Sequence, residues 1–364
     1  MDFTSLGVPA PLAAALAARG ITEPTEIQRE VIPAACTGEN LIGEAPTGTG
    51  KTLAYLLPAL MRIDPAVRAA QVLVLAPTHE LAMQIAGAAR DLIQTAGLSV
   101  GVQALIGGAN VQRQIDALKK KPALIVGSAP RIVELHRLRK LKLQEVRLCV
   151  LDEFDRLLDK QHSAEVRAVL HLLPRERQML LLSATAAAAA VHAAEELCAP
   201  RIIRAAVQET TCENYYHIVP FRDKIKAVQK LTRRLPIRRG LVFVGRSFDA
   251  EKAAEKLQYE GIRVAALLGG ERRDQRRAAL NAIRTGRVQL LISTDLAARG
   301  LDIEDVDYVV QVDLPEDVRT YRHRAGRTAR AGKEGTVISL VDAKEVERLK
   351  ALAVRMKLDL KKIN

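Results

Sequence analysis

The sequence predicts an α/β protein of two domains, each a parallel β-sheet flanked by helices. Three observations predict this class: the length of 364 residues, short apolar runs that alternate with amphipathic stretches, and a restart of that alternation after about residue 215. At roughly 150 residues per domain, the length favours two domains. Short β-rich runs that alternate with helices are typical of βαβ units, whose strands are parallel.

Short apolar runs mark the predicted strands. They lie at 71–76, 123–126, 148–151, 179–182, 241–244, 289–293, 308–312 and 336–340. Helical patterns separate them, for example at 80–95, 159–173, 249–260 and 273–285. Because helical periodicity lapses within 199–216, we place the first domain at 1–205, a linker at 206–215 and the second domain at 216–364.

The composition excludes several classes of protein. Hydrophobic residues make up 48% and charged residues 27% of the chain, as in globular proteins with a sizeable core. No apolar run approaches the ~18 residues of a membrane span, and the first ~25 residues lack a secretion signal, so we expect a cytoplasmic protein that binds no membrane. Cys36, Cys149, Cys198 and Cys212 are widely spaced, which favours reduced, mostly buried thiols over a zinc site or disulfides.

The positive charge is concentrated in the second half. Residues 1–200 contain 21 Lys+Arg and 20 Asp+Glu, whereas 201–364 contain 34 and 22, so the net charge of +13 divides into +1 and +12. This asymmetry favours a polyanionic partner, although a basic surface without a specific ligand gives the same composition. Aromatic residues are only 3% and Trp is absent, which makes base-stacking platforms hard to build. A nucleic-acid partner would therefore be held through phosphates and sugars.

The segment APTGTGKT, residues 45–52, predicts a phosphate-binding loop. The general pattern has Gly six residues before the Lys, where this chain has Ala45. Gly48 and Gly50 allow backbone N–H groups to close around phosphate oxygens. Lys51 reaches the β- and γ-phosphates, and Thr52 offers a hydroxyl to Mg²⁺. An ordinary Gly/Thr turn, the alternative, leaves unexplained why GKT opens an apolar helix.

The segment VRLCVLDEFD, residues 146–155, is an apolar strand that ends in an acidic pair. Asp152 should lie at the carboxyl edge of the sheet beside the phosphate loop, where it can hold the hydration shell of Mg²⁺. Glu153 is suited to orient and deprotonate an attacking water. By itself the segment is also compatible with an acidic helix cap.

The segment YRHRAGRTAR, residues 321–330, spaces three arginines evenly, which places Arg324, Arg327 and Arg330 near one face of a helix or turn. An arginine from a second domain can supply positive charge to a γ-phosphate in transition. A solvated basic face is the alternative for this segment taken alone.

In combination and in order, these segments resemble those of the DEAD-box ATP-dependent RNA helicases of superfamily 2, almost from end to end. The matching segments are Phe3 with GITEPTEIQ (20–28), APTGTGKT (45–52), PTHELAMQ (77–84), Gly107–Gly108, GSAPRI (127–132), DEFD (152–155), SAT (183–185), LVFVGR (241–246), GGERRDQRR (269–277), STDLAARGLDI (293–303) and HRAGRTAR (323–330). The resemblance accounts for Ala45, because the family's own loop begins with Ala. It implies two tandem RecA-like domains, with ATP on the first.

By motif position, the resemblance implies an ATP site, an RNA surface and a link between them. Phe3 would cover the adenine ring and Gln28 would recognise its edge. The other implied ATP and Mg²⁺ contacts are Ala45, Thr47, Gly48, Thr49, Gly50, Lys51, Thr52, Asp152 and Asp302. Glu153 would position water, and the arginine fingers would be Arg327 and Arg330. The implied contacts to the RNA backbone are Thr78, Gly108, Arg131, Arg276, Thr294 and Arg299, and the implied coupling residues are Ser183 and Thr185.

The chain departs from the family pattern at several positions. His79 replaces the Arg usual in PTRELA, which removes a permanent charge from an RNA contact. Residues 128–131 replace TPGR, and Phe154 replaces the Ala of DEAD with the acidic pair intact. Arg273 stands where Gln is common, and Ala329 replaces a Gly. The exchange at 79 and 273 predicts that the second domain contributes more of the grip on RNA.

The function expected is that of a monomeric RNA-dependent ATPase that opens short RNA duplexes locally and has little sequence preference. Its partners would be single-stranded RNA and short RNA duplexes. Two alternatives remain open: an ATP-dependent RNA clamp that unwinds poorly, and a DNA-directed translocase of the same superfamily. GITEPTEIQ and HRAGRTAR speak against the translocase. A phosphate-loop kinase or GTPase would leave the whole second half unexplained.

Overall fold

The chain forms two units in the computed structural model, Met1–Val207 and Gln208–Asn364. The structure describes residues 2–46, 48–184, 187–205, 212–245, 249–268, 273–298, 306–328 and 335–363. The first strand of the second unit, Cys212–Ile218, begins inside the range 206–215 that the sequence predicted as a linker.

The first unit alternates helices with strands. After a short 3-10 helix at Thr4–Leu6 come α1 Ala10–Ala17, α2 Glu26–Cys36, β1 Leu41–Glu44, α3 Lys51–Met61, β2 Val72–Leu75, α4 His79–Thr95, β3 Val102–Leu105, α5 Val111–Leu118, β4 Leu124–Gly127, α6 Ala129–Arg137, β5 Leu148–Asp152, α7 Phe154–Leu157, α8 Ser163–Leu172, β6 Gln178–Ser183, α9 Ala188–Cys198 and β7 Arg201–Arg204. Their strands form one parallel sheet in the order β3-β4-β2-β5-β6-β1-β7.

The second unit repeats the arrangement. Its elements are β8 Cys212–Ile218, a 3-10 helix at Phe221–Asp223, α10 Lys224–Arg234, β9 Gly240–Phe243, α11 Ala250–Tyr259, β10 Val264–Leu267, α12 Arg273–Arg284, β11 Leu290–Ser293, α13 Asp295–Ala298, β12 Tyr308–Gln311, α14 Val318–Ala325, β13 Gly335–Val341, α15 Val346–Met356 and β14 Leu360–Lys362. The parallel sheet has the order β10-β11-β9-β12-β13-β8-β14. Numbered within its own unit, each sheet reads 3-4-2-5-6-1-7, so the predicted restart reflects a repeated fold.

The central strands are apolar on both faces because helices cover both sides of each sheet. Alternate residues of β2 enter different cores, with Val72 and Val74 on one face and Leu73 and Leu75 on the other. Every predicted strand is present, each bound lying within two residues of its predicted position, which confirms the α/β class. The helix predicted at 159–173 begins only at Ser163.

The four cysteines are free, as expected. The expectation that they are mostly buried is confirmed only for Cys149 in β5: Cys198 and Cys212 are partly exposed, and Cys36 is exposed at the end of α2. No group of metal-ligating side chains suited to a metal ion occurs among the described residues. Within the same ranges, no helix is long and apolar enough to cross a membrane.

Candidate nucleotide and RNA sites

The strand order gathers the candidate nucleotide residues of the first unit. Strands β5, β6 and β1 are neighbours, and each runs toward the same edge of the sheet. Asp152 ends β5, Ser183 ends β6, and Ala45 follows β1. The Ala45 amide donates to the Ser183 carbonyl at 3.2 Å. Ligands of parallel sheets bind at this carboxyl edge, so the structure brings these segments to the position where a nucleotide is expected.

The phosphate loop depends on two left-handed glycines. Gly48 has φ 86° and Gly50 has φ 85°, a region that a side chain rarely tolerates. Gly50 is the N-cap of α3, so the positive end of that helix faces the loop. The Lys51 ammonium donates to the carbonyls of Ala45 at 2.5 Å and Pro46 at 2.7 Å, which keeps it inside the loop.

Gln28 joins the segment expected to recognise adenine to the phosphate loop. Its amide nitrogen donates to the Gly50 carbonyl at 3.0 Å, and its amide oxygen accepts from the Thr25 amide at 3.0 Å to complete a capping box on α2. Phe3, expected to cover the base, is only 2% exposed and belongs to the apolar core. The structure therefore places Gln28 at the loop but leaves Phe3 without an open ring face.

Asp152 is held by a residue that the sequence did not single out. The Tyr55 hydroxyl, fully buried on α3, donates to Asp152 Oδ2 at 2.8 Å, and the Glu153 amide donates to Oδ1 at 3.0 Å. Burial raises the pKa of Tyr55 well above its usual value, although a side-chain hydrogen bond with Thr52 lowers that pKa. Tyr55 thus links the two residues expected to hold Mg²⁺. In the sequence, Tyr55 stands among the apolar residues of the helix that follows GKT, so only its hydroxyl group could have indicated this role.

The electrostatics of Asp152 are those of a buried acid. Burial, and then the neighbouring charge of Glu153, raise its pKa from 3.8 to about 6. The Tyr55 hydrogen bond and the Lys51 charge act in the opposite direction without cancelling the rise. The influence of Lys51 on this pKa also supports the expected closeness of Asp152 to the phosphate loop.

Glu153 lies at a strained turn between β5 and α7. Its φ of 52° is in the left-handed region, which costs a non-glycine residue about 1 kcal/mol or more and is common at functional sites. Its side chain is 25% exposed and contacts Arg156, with Oε2 at 3.3 Å from Nη1. Phe154, which replaces the Ala of DEAD, is fully buried in the core. The larger side chain of Phe154 therefore packs in the apolar core of the first unit, and the acidic pair Asp152 and Glu153 stays at the carboxyl edge of the sheet.

The candidate RNA residues of the first unit follow a different set of neighbouring strands. Thr78 comes after β2, Gly108 after β3 and Arg131 after β4, and these strands adjoin one another. Their segments line a cleft of about 430 Å³ whose walls include Pro77, His79, Gly107, Ser128, Arg131 and Gln161. The expected RNA segments therefore share one surface.

The cleft is lined by basic and acidic side chains, since Glu134 and Glu165 lie in its wall together with His79 and Arg131. Arg131 is 7% exposed; its Nε pairs with Glu134 at 3.0 Å, whereas its Nη1 is buried without a hydrogen-bond partner. A buried guanidinium nitrogen without an acceptor is costly, and a phosphate oxygen would satisfy it. His79 packs against Gly107, where an added Cβ would lie 3.0 Å from the imidazole Nε2.

In the second unit, the candidate residues again follow carboxyl ends of strands. Thr294 follows β11, and its hydroxyl accepts from the Ala297 amide at 3.3 Å. Arg276 lies on α12 and donates to the Ala297 carbonyl at 2.8 Å, and Arg327 follows α14. Of the remaining candidates, Thr47, Thr185, Arg299, Asp302 and Arg330 lie outside the described residues, as do Ala329 and the side chain of Arg273.

Arg324, which shares a spacing with Arg327 and Arg330, is buried and paired within its own unit. It is 3% exposed, pairs with both carboxylate oxygens of Asp295 at 2.7 Å and donates to the Asp313 carbonyl at 2.6 Å. Its guanidinium also lies 5.0 Å from the centre of the Phe243 ring. Arg324 therefore anchors α14 to α13 and to the sheet, a role that spacing alone could not distinguish.

A phosphate loop, a buried Asp followed by a Glu, and a second sheet of the same strand order define a phosphate-loop nucleoside triphosphatase of the helicase type. Residues 25–193 match the family model described as DEAD/DEAH box helicase, and residues 223–332 match the Helicase conserved C-terminal domain. The chain belongs to the DEAD-box ATP-dependent RNA helicases, a family of RNA-dependent ATPases. The expected family, fold class and enzyme class are thereby confirmed.

Individual proteins that are similar to this chain support the same family assignment. The chain is 42% identical over 340 residues to the DEAD-box ATP-dependent RNA helicase CshC of Bacillus cereus, which covers 93% of this chain and 87% of that one. It is 40% identical over 349 residues to the probable ATP-dependent RNA helicase YfmL of Bacillus subtilis, covering 94% and 91%. The structure of S. cerevisiae Dbp5 bound to RNA and ADP BeF3 is similar with a TM-score of 0.88 at 28% identity, over 100% of this chain and 95% of that one.

Proposed function

We propose that this chain couples RNA-stimulated ATP hydrolysis to the local opening of short RNA duplexes or the remodelling of RNA–protein complexes. One observation carries the proposal. The ATP segments follow β5, β6 and β1, the RNA segments follow β3, β4 and β2, and β2 adjoins β5 in the same sheet. Both ligands would therefore bind along one edge, where a change at one site reaches the other through directly paired strands.

ATP is proposed to bind with its phosphates in the loop at 45–52. Lys51 would exchange the loop carbonyls it now contacts for phosphate oxygens, and the N-terminus of α3 would add its positive end. Gln28 is the proposed adenine contact because it lies against Gly50; its side chain is only 1% exposed, so its amide would exchange its contacts with Gly50 and Thr25 for the base. Asp302 stays the proposed ribose contact on the resemblance alone. Phe3 stays a weaker proposal, since its ring is buried.

The residues near the loop fit Mg²⁺. A carboxylate and a hydroxyl are the hard oxygen ligands this ion prefers, and it commonly keeps several waters and binds one or two carboxylates with substrate phosphates. Asp152 and Thr52 would hold it, and a nearby cation would offset the burial that now raises the pKa of Asp152. When bound, the ion would neutralise charge that develops on the phosphates.

For hydrolysis, Glu153 is proposed to orient the attacking water and accept its proton. Its position at the left-handed turn directs it away from the core, and its side chain is partly open to solvent. Arg327 and Arg330 would supply positive charge to the γ-phosphate from the second unit. Since one unit holds the phosphate loop and the other the arginines, hydrolysis would require both.

RNA is proposed to bind through its sugar–phosphate backbone. In the first unit, the buried Nη1 of Arg131 gives the cleft a donor for a phosphate, and Thr78 and Gly108 lie on the adjoining segments. In the second unit the proposed contacts are Arg276, Thr294 and Arg299. Backbone contacts carry no base code, so little sequence preference is expected. Ser183 and Thr185 are the proposed link between the sites on the resemblance alone; Ser183 ends β6, next to β5, the strand that carries Asp152.

Steady-state ATPase tests the proposal, measured without nucleic acid, with RNA and with DNA of the same sequence, and with Glu153→Gln as the inactive control. Strong stimulation by RNA alone, abolished in Glu153→Gln, is the expected result. Equal stimulation by DNA would identify a translocase instead, and no stimulation would refute coupling. A short labelled RNA duplex then separates a helicase, which releases the strand with ATP, from a clamp, which binds without releasing it.

We also propose that the chain acts as a monomer in the cytoplasm. ATP and RNA, the ligands it is proposed to use, are both intracellular. Light scattering at assay concentration and fractionation of cells that express the protein test the two statements separately.

A further inference from the structure

Seven arginines gather at the amino edge of the second sheet, in the connections that lead into its strands. Arg233, Arg234, Arg238 and Arg239 precede β9, Arg263 precedes β10, and Arg284 and Arg287 precede β11. We call this set the arginine edge. The sheet order β10-β11-β9 makes the three connections neighbours.

Backbone hydrogen bonds join these connections directly. The Gln289 amide donates to the Arg263 carbonyl at 2.6 Å, and the Gly240 amide donates to the Gln289 carbonyl at 2.9 Å. Neighbouring strands lie about 4.8 Å apart, so the three connections that carry the arginines are spaced by about that distance along the edge of the sheet. The arginines thus form one continuous strip rather than scattered charges.

Side-chain contacts hold several of these guanidinium groups across the strip. Arg239 Nη2 donates to the Arg284 carbonyl at 3.0 Å, and Arg263 Nη1 donates to the Gly286 carbonyl at 2.9 Å. Arg233 Nη2 likewise donates to the Glu260 carbonyl at 2.9 Å. A carbonyl partner orients a guanidinium without cancelling its charge, so the group still attracts an anion.

The strip is exposed and carries a positive excess. The side chain of Arg238 is 88% exposed and that of Arg233 is 60% exposed, and Arg234, Arg263 and Arg287 are also exposed. Arg233 forms an ion pair with Glu260 and Arg238 forms one with Asp307, each at 3.7 Å. Both arginines are exposed, and a pair at that distance with an exposed arginine neutralises little charge.

The strip lies on the opposite edge from the family segments. Thr294 and Arg276 follow the carboxyl ends of β11 and β10, whereas the arginine edge precedes the amino ends of the same strands. Four-residue strands separate the two edges by about 13 Å, at roughly 3.3 Å per residue. RNA contacts proposed at the carboxyl edge therefore do not account for the strip.

We propose that the arginine edge is a second binding surface for the RNA sugar–phosphate backbone, separate from the surface that stimulates ATP hydrolysis. The occupant is RNA because the strip is positive and made of arginine, whose planar fork pairs with phosphate oxygens better than lysine does. The surface belongs to one unit, so its affinity should not depend on bound nucleotide. It would hold the flank of an RNA whose other part occupies the carboxyl edge, and this rests on the proposed RNA-dependent function.

The test compares three full-length proteins: the parent, a triple variant with Arg238→Gln, Arg263→Gln and Arg287→Gln, and a control with Lys350→Gln, Arg355→Gln and Lys362→Gln. The control removes the same charge from exposed positions on α15 and β14 of the same unit. Binding of labelled oligouridine of about 8 and about 30 nucleotides is measured by anisotropy without nucleotide, between about 50 and 200 mM KCl. ATPase stimulation by the shorter RNA is measured in parallel.

The expected result is a weakening confined to the longer RNA. Removing three arginine–phosphate interactions, at ~0.7 counterion each, reduces the slope of log affinity against log salt by about 2 and weakens binding about tenfold to a hundredfold near 0.1 M salt. Stimulation by the shorter RNA should equal that of the parent. The single variant Arg238→Gln, at an 88% exposed side chain, should change the slope by about 0.7 and guards against misfolding of the triple variant.

Equal weakening in the control would overturn the proposal, because general charge would then explain the effect. Loss of stimulation by the shorter RNA in the triple variant would also overturn it, since the strip would belong to the ATPase surface. If the parent shows no RNA-stimulated ATPase, the proposed function fails instead. Binding of the longer RNA by the parent then tests the arginine edge independently.

Discussion

Replacing the buried acid Asp152 by Asn should stabilise the first unit at neutral pH. Asp152 is 5% exposed, and burial with the neighbouring charge of Glu153 raises its pKa from 3.8 to about 6. The folded chain therefore holds this proton more tightly than the unfolded chain does. As pH rises from about 4 to about 6, the unfolded state loses the proton first, and the free energy of unfolding falls. Above about pH 6 the free energy of unfolding has fallen by the full amount and no longer changes with the titration of this group.

The magnitude follows from the interval between the two pKa values. The rise from 3.8 to about 6, at 1.36 kcal/mol per unit, corresponds to about 3 kcal/mol. Asn offers one oxygen where Asp152 accepts both the Tyr55 hydroxyl and the Glu153 amide, so one donor loses its acceptor at about 1 kcal/mol. Asp152→Asn should therefore gain about 2 kcal/mol above pH 7 and lose about 1 kcal/mol below pH 4.

Urea titrations at pH 4, 6 and 8 without ATP or Mg²⁺ provide the assay. Hydrogen exchange of peptides from the first unit is the readout, because a chain of two units need not unfold in one step. Asp91→Asn, at an exposed aspartate on α4, is the matched control. A stability difference that is the same at all three pH values would refute the reasoning. The variant should also lose ATPase, which would explain why a destabilising acid is kept.

Three further predictions concern the Tyr55 hydrogen bond, Gly127 and His79. Tyr55→Phe should raise severalfold the Mg²⁺ concentration that gives half-maximal ATPase, because Asp152 loses a hydrogen-bond donor at 2.8 Å. An unchanged Mg²⁺ titration would contradict this. Gly127→Ala should lower the free energy of unfolding of the first unit by about 2 kcal/mol or more, since the new Cβ meets the backbone carbonyl of Leu105 in β3. The control Gly87→Ala on α4 meets nothing within 4 Å and should raise that free energy by up to about 1 kcal/mol. Equal unfolding midpoints for the two variants would show the packing argument to be wrong. His79→Arg should strengthen RNA binding and steepen its salt dependence by about one counterion, and no change in either would end the idea that this departure weakens the first-unit grip.

The strands that the sequence revealed are largely buried on both faces, although β1 (LIGE), which is also largely buried, and β3 (VQAL) were not predicted. Runs such as VLVL in β2 owe their pattern to burial, which periodicity detects. Strands β7, β8 and β14 escaped notice because they are part-exposed and polar, as in RIIR and CENYYHI. Strand β10, VAAL, is rich in Ala, which has little strand preference. Tertiary pairing determines these strands, so no local signal could have separated them from loop or helix.

The candidate site also has a part that the sequence predicts and a part that depends on the fold. The positions of Gly48, Lys51 and Asp152 follow from motif spacing, because their chemistry needs a fixed backbone geometry. The contact between Tyr55 and Asp152 crosses 97 residues of sequence, and the ion pair of Arg324 with Asp295 crosses 29. Contacts between distant segments depend on strand order, which the motifs did not give. The burial of Phe3 shows the converse, that a motif position does not fix what a side chain contacts.

The repeated strand order explains why ATP phosphates are proposed to bind one unit while proposed RNA contacts occur in both. In each unit the second, third and fourth strands adjoin at one end of the sheet. The proposed RNA residues Thr78, Gly108 and Arg131 follow the second, third and fourth strands of the first unit, whereas in the second unit Arg276 follows the third strand and Thr294 and Arg299 follow the fourth. The phosphate loop follows the first strand of the first unit, β1. Its counterpart β8 is followed by Val219, Pro220 and Phe221. Proline has no N–H to donate and none of the three is glycine, so this turn cannot close around a phosphate. The second unit thus retains the RNA end of the repeated fold, and its part in hydrolysis would be to supply arginine charge.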